Sequence, residues 1–77
     1  MNHLIDRAAA TEHLKLAERH VVEGRRRVDA QVSLLARLEG NGRPVEQAKM
    51  LLRELQATLA LHVQSRDRIA RELREGI

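Results

Sequence analysis

Four histidines and a run of three arginines are the side chains whose chemistry could reach beyond helix packing. His13 and His20 are seven residues apart. That spacing puts them on one face of a helix but about 10 Å apart along its axis, too far to share one ion. Ligands that chelate from one helix sit at i and i+4, as in His-Glu-x-x-His, and no carboxylate motif reinforces these histidines. If the chain folds back at its middle, His20 and His62 come to a common level, with Glu18, Glu23 and Arg66 within reach. The expectation there is a hydrogen-bonded polar layer of Gln31, His20, His62 and Arg66 that fixes helix register, not a metal site. Arg25, Arg26 and Arg27 fan over about 300° of a helix surface and, with Arg19, form the candidate phosphate-contacting set. Glu23 stands four residues before Arg27 and Asp29 two after it, so part of that positive field is offset locally.

Other chemistries lack their reactive groups. There is no cysteine or tyrosine, and Ser33 and Ser65 have no patterned base beside them. Gly40-Asn41-Gly42 is followed by neither the lysine-serine nor the lysine-threonine pair of a phosphate loop. No catalytic residue, cofactor-binding residue or metal ligand is therefore assigned, no cofactor is expected, and the chain reads as a non-enzyme. The absence of Phe, Trp and Tyr removes base-stacking platforms and aromatic anchors, so any interface is aliphatic. Fourteen basic residues face 11 acidic ones, a formal net charge of +3, so the arginines lack the dense single-sign patch of dedicated nucleic-acid binders.

The elements that would carry these residues are two long amphipathic helices. In heptad letters, Leu14, Val21, Val28 and Leu35 take position a of the first, and Ala10, Ala17, Gly24, Gln31 and Leu38 take d. In the second, Val45, Leu52, Leu59 and Leu73 take a, and Ala48, Leu55, His62 and Ile69 take d, the stripe being interrupted at Arg66. Val32, Leu34, Leu51, Val63 and Ala70 widen the stripes at their flanks, as expected for helices with more than one neighbour. The helix-packing set is Leu14, Val21, Val28, Leu35, Leu52, Leu55, Leu59, Ile69 and Leu73. A persistent seven-residue repeat predicts shallow, left-handed crossing.

One break, at Glu39-Gly40-Asn41-Gly42-Arg43-Pro44, separates the helices. The spacing predicts a helix over about 4–39, a turn at 40–43 and a helix over about 44–75. Gly40 is expected to close the first in the left-handed conformation and Pro44 to sit in the first turn of the second. Folding there places Leu38 near Val45, Leu35 near Ala48, Val28 near Leu55, Gly24 near Leu59, Val21 near His62, Ala17 near Arg66 and Leu14 near Ile69. Gly24 is expected to permit close approach of the two helices, the alternative being a hinge that presents the arginines.

At 77 residues the chain is one small domain, in the size range where a single core is marginal without staples or oligomerisation. An all-α antiparallel hairpin that dimerises into a four-helix bundle is the expected assembly. The missing cysteines, the N-terminal Met1-Asn2-His3-Leu4-Ile5-Asp6-Arg7 without a leader pattern and the lack of a membrane-length apolar run point to a cytoplasmic protein with no membrane partner. The segment from His13 to Gly24, with Gln31, the glycine turn and Leu59-Ala60-Leu61-His62, resembles a group of short uncharacterised bacterial helical-hairpin proteins. That resemblance implies no activity. The architecture is also similar to ROP, an RNA-binding hairpin that dimerises into a four-helix bundle. ROP-type recognition relies partly on an aromatic residue, which this chain lacks. The expected function is a small interaction or regulatory module that self-associates and binds a helical protein partner, with Leu16, Val22, Leu51 and Leu61 as its working surface. The alternative is backbone-directed RNA or DNA binding by a basic bundle dimer.

Overall fold

Leu, Ala, Arg, Glu, Gln and Lys fill most positions on either side of the break, and all six propagate helix readily. In a computed structural model that describes residues 3–76, with side chains from Arg7 onward, the chain forms helix α1, His3–Gly40, and helix α2, Glu46–Arg74. The helices run antiparallel and pack along their length into a rod of 61 × 15 × 14 Å. No strand occurs among the described residues, so the molecule is an all-α two-helix hairpin.

The turn departs from expectation at both ends. Gly40 remains helical, and Gly42 takes the left-handed conformation with φ of 64°. Two hydrogen bonds explain the choice. The Arg43 N–H donates to the Leu38 carbonyl at 2.9 Å and the Gly42 N–H to the Glu39 carbonyl at 3.2 Å, the crossed pair of a Schellman motif with Gly42 past the helix end. Closing there satisfies two carbonyls that would otherwise end α1 unpaired.

Pro44 likewise lies outside α2. Val45 occupies the N-cap position with φ −120° and ψ −4°, and offers no side-chain cap. A following proline disfavours helical geometry at Arg43, and with Val45 as the N-cap the helix begins at Glu46. Glu46 then places a carboxylate in the first turn of α2, while Arg71 and Arg74 occupy the last, both charges favourable to the helix dipole. Arg7 crosses from α1 to donate to the Leu73 carbonyl at 3.4 Å, adding a charged donor at the C-terminal end of α2.

The core is thin because two helices can cover only one stripe of each other. Among the described residues the buried apolar side chains are Ala17 and Val21, Val21 being only 1% exposed. Gly24 and Gln31 complete the buried set. Leu14, Val28 and Leu35 of α1 and Leu52, Leu55, Leu59, Ile69 and Leu73 of α2 line the seam but remain half-buried. Their outer flanks have no protein beside them.

At the centre α1 passes through Gly24 without interruption. A Cβ built there would stand 3.1 Å from Leu59 Cδ1, 3.6 Å from its Cβ and 3.8 Å from its Cα. Glycine thus lets the backbone of α2 approach where a side chain would intrude, and no break in α1 presents the arginines.

Candidate functional site

The four residues expected as one polar layer fall at three levels of the rod. Gln31 is the deepest, 7% exposed, and its Nε2 donates to the Ala48 carbonyl at 3.0 Å. That bond spans from the d stripe of α1 to the backbone of α2 and ties the two helices in register. No fully buried side-chain nitrogen or oxygen among the described residues lacks a partner, so the seam carries this amide without an orphaned group.

His20 and His62 meet further along, ring centroids 4.9 Å apart and planes tilted by 47°. Both are half-buried. His13, Leu16, Ala17 and His20 of α1 and Ser65 and Ile69 of α2 enclose a small open depression on that edge of the hairpin. Among the described residues no three histidine, aspartate or glutamate side chains gather as metal ligands would.

Arg66 does not join the histidines. Its Nε and Nη2 both donate to Asp67 Oδ1, at 3.0 and 2.9 Å. The expected cluster with Glu18 and Glu23 is thus not formed, because the adjacent carboxylate captures the guanidinium and holds it at the rim of the seam, where its stem still covers part of the stripe. Glu23 instead stands 4.0 Å from Arg27, one helical turn on.

Arg19, Arg25, Arg26 and Arg27 are all exposed. At 3.6 residues per turn, Arg25 and Arg27 flank opposite sides of the seam, whereas Arg19 and Arg26 share the outer face of α1. That outer face is mixed in sign: Glu12, Lys15, Glu18, Val22 and Glu23 border the same open depression as Arg19 and Arg26. Lys15 is drawn to Glu12 at 3.2 Å, so part of the positive charge is already matched.

The exposed large apolar residues are Leu16, Val22, Val32, Leu34, Met50, Leu51 and Leu61. They belong to different faces. Val22 points outward among charges, and Val32 takes position e on one flank of the seam. Leu34 and Leu51 take position g, and Leu16 and Leu61 the neighbouring position c, on the flank shared with His13 and His20. Heptad reading located these flanks but not their exposure, which depends on how much of each flank a single neighbouring helix can cover.

The arrangement defines a class, a two-helix antiparallel hairpin with a thin aliphatic seam, one buried amide tie and a leucine-bearing edge. No known protein family, curated protein or solved structure matches the chain. No helix among the described residues is long and apolar enough to cross a membrane.

Proposed function

We propose that the chain is a small non-enzymatic interaction module that self-associates and binds a helical protein partner. The observation that carries this reading is the imbalance between its apolar residues: two are buried among those described, whereas seven large ones stand exposed. Helical surfaces bearing apolar residues at three- and four-residue spacing are completed by other helices. Leu16, Leu51 and Leu61 expose apolar surface on one flank of the hairpin and Val22 adds one residue on the outer face of α1, all without an aromatic anchor. The ROP-like bundle and the cytoplasmic setting belong to this proposal.

The test is isolation of the tagged protein from its own host, followed by the mass of the intact complex. A co-isolated protein of different sequence whose binding is lost on Val22→Lys, off the leucine-bearing edge, supports the reading. Isolation of the chain with nothing but copies of itself contradicts the partner half of it. The alternative is RNA or DNA binding through the exposed Arg19, Arg25, Arg26 and Arg27. Bound nucleic acid, released steeply as salt rises, would put it ahead.

A further inference from the structure

The leucine-bearing edge has a symmetry of its own. On α1, positions c and g from residue 16 to residue 34 carry Leu16, His20, Glu23, Arg27, Ala30 and Leu34, with spacings of four, three, four, three and four residues. These six lie within about 40° of one line along the helix at 3.6 residues per turn. On α2 the equivalent positions carry Leu51, Glu54, Thr58 and Leu61, spaced three, four and three. Both series end in leucine, and the first carries the unlike charges Glu23 and Arg27 about its middle. The first is centred on residue 25 and the second on residue 56.

The hairpin brings the two centres together. With Gly24 facing Leu59, residue 56 lies at the level of residue 27, two residues from the α1 centre, which is about 3 Å at the helical rise. One axis perpendicular to the rod therefore passes close to both centres. An isologous interface requires such a surface, because residue i meets j of the second copy wherever j meets i.

We propose that this edge is where a second copy of the chain docks, related by that twofold axis, with α1 antiparallel to the second copy's α1 and α2 antiparallel to its α2. This rests on the self-associating part of the proposed function and assigns it a face. Leu16 then meets Leu34 of the second copy, Leu51 meets Leu61, and Glu23 meets Arg27. At the waist of the interface α1 presents unlike charges to its mate, while on α2 Glu54 meets Thr58. The Glu23 and Arg27 pair at 4.0 Å is already positioned to join its counterpart in a ring of four alternating charges.

The amount of exposed surface agrees with one more copy. The chain exposes 5966 Å². A compact monomer of 8.8 kDa would expose about 4,800 Å² by the size scaling of folded proteins. The surplus of about 1,200 Å² is more than the roughly 800 Å² each partner gives up in a standard stable interface. Leu16, Leu34, Leu51 and Leu61, exposed by 45%, 36%, 45% and 65%, are the large apolar side chains this face would cover.

The test uses the full chain and two charge reversals. Glu23→Arg places like charges at both waist contacts of a homodimer, and Arg27→Glu does the same with the opposite sign. Each should self-associate at least tenfold more weakly than the parent by sedimentation equilibrium. Mixed together, the two chains present Arg to Glu at both contacts. Native mass spectrometry should then show the mixed dimer well above the one-half that random pairing gives. Loss of the pair inside each chain cannot produce that excess, and circular dichroism on each variant checks that it is folded. Leu34→Lys should also weaken association, and Ser33→Lys, at an exposed position on the outer face of α1, should not. A parent dimer with random mixing, or one indifferent to Leu34→Lys, overturns this face while leaving self-association intact. A parent that stays monomeric at every concentration overturns the docking altogether, whereas the helical-partner reading is judged separately by isolation from the host.

Discussion

Replacing Gly24 tests the close approach at the centre of the hairpin. In Gly24→Ala the new Cβ meets Leu59 Cδ1 at 3.1 Å, with Leu59 Cβ at 3.6 Å and Cα at 3.8 Å. Only the first contact is tight, and it falls on the end of a half-buried side chain that can turn aside. Turning it costs about 0.5–1 kcal/mol, whereas alanine in place of glycine gains about 1 kcal/mol of helix propensity. The expected outcome is a protein between unchanged and about 0.5 kcal/mol more stable. Gly24→Leu is different, because its outer atoms must enter the space held by Leu59 Cβ and Cα, and the helices must part. Overpacking of this kind costs about 1–3 kcal/mol, so the net loss after the propensity gain is up to about 2 kcal/mol. Leu59→Ala alone should lose about 2 kcal/mol, the low end for leucine truncation because Leu59 is not fully buried. Together, Gly24→Leu and Leu59→Ala exchange the large side chain across the seam and should recover at least about 1 kcal/mol relative to the sum of the two. Urea unfolding followed by helical circular dichroism, at one fixed protein concentration, measures all four. Strict additivity, or a Gly24→Leu protein more stable than the parent, would refute the argument from backbone proximity.

Three further perturbations separate contacts that the seam and turn combine. Gly42→Ala should cost about 1 kcal/mol because φ is positive there, whereas Gly40→Ala, helical and with nothing near its Cβ, should gain up to about 1 kcal/mol; equal effects on the unfolding midpoint would contradict the turn geometry. Gln31→Leu should lie within about 1 kcal/mol of the parent, since Ala48 is inside α2 and its carbonyl keeps the helical bond. Gln31→Glu should lose about 2 kcal/mol at neutral pH by setting a carboxylate against that carbonyl. The loss should shrink as pH falls through the carboxylate range and the added proton supplies a donor, and a pH-independent loss would count against the amide tie. Arg66→Leu should leave the hairpin as stable or up to about 1 kcal/mol more stable, since the bond to Asp67 joins sequence neighbours and ties nothing across the seam; a marked fall in the thermal midpoint would show that Arg66 holds the helices together.

Much of this fold was legible because seven-residue spacing has few solutions. Leu14, Val21, Val28 and Leu35 opposite Ile69, His62, Leu55 and Ala48 require two helices folded back on one another, and the pairing of Gly24 with Leu59 follows once the turn is placed near residue 41. The turn's inner geometry was not legible to the same degree. Gly40 and Gly42 flank Asn41, either tolerates a left-handed backbone, and the choice depends on which carbonyls of α1 find donors. Arg66 escaped for another reason. Periodicity places a residue on a face but does not say whether its guanidinium turns to a distant glutamate or to the aspartate beside it. The order of Leu16, Glu23, Arg27 and Leu34 was present in the sequence throughout. Its meaning needed the structure, which shows those leucines exposed and the waist of α2 at nearly the same level.

The claim that underlies the proposed function is that this thin seam depends on a second copy. It is tested most directly by thermal unfolding of the parent chain over a hundredfold range of protein concentration. If folding is linked to dimerisation, stability should rise by about 2.7 kcal/mol over that range and the midpoint should climb with concentration. A midpoint that stays fixed from the most dilute to the most concentrated sample would mean that the two helices hold each other unaided, and would contradict the account.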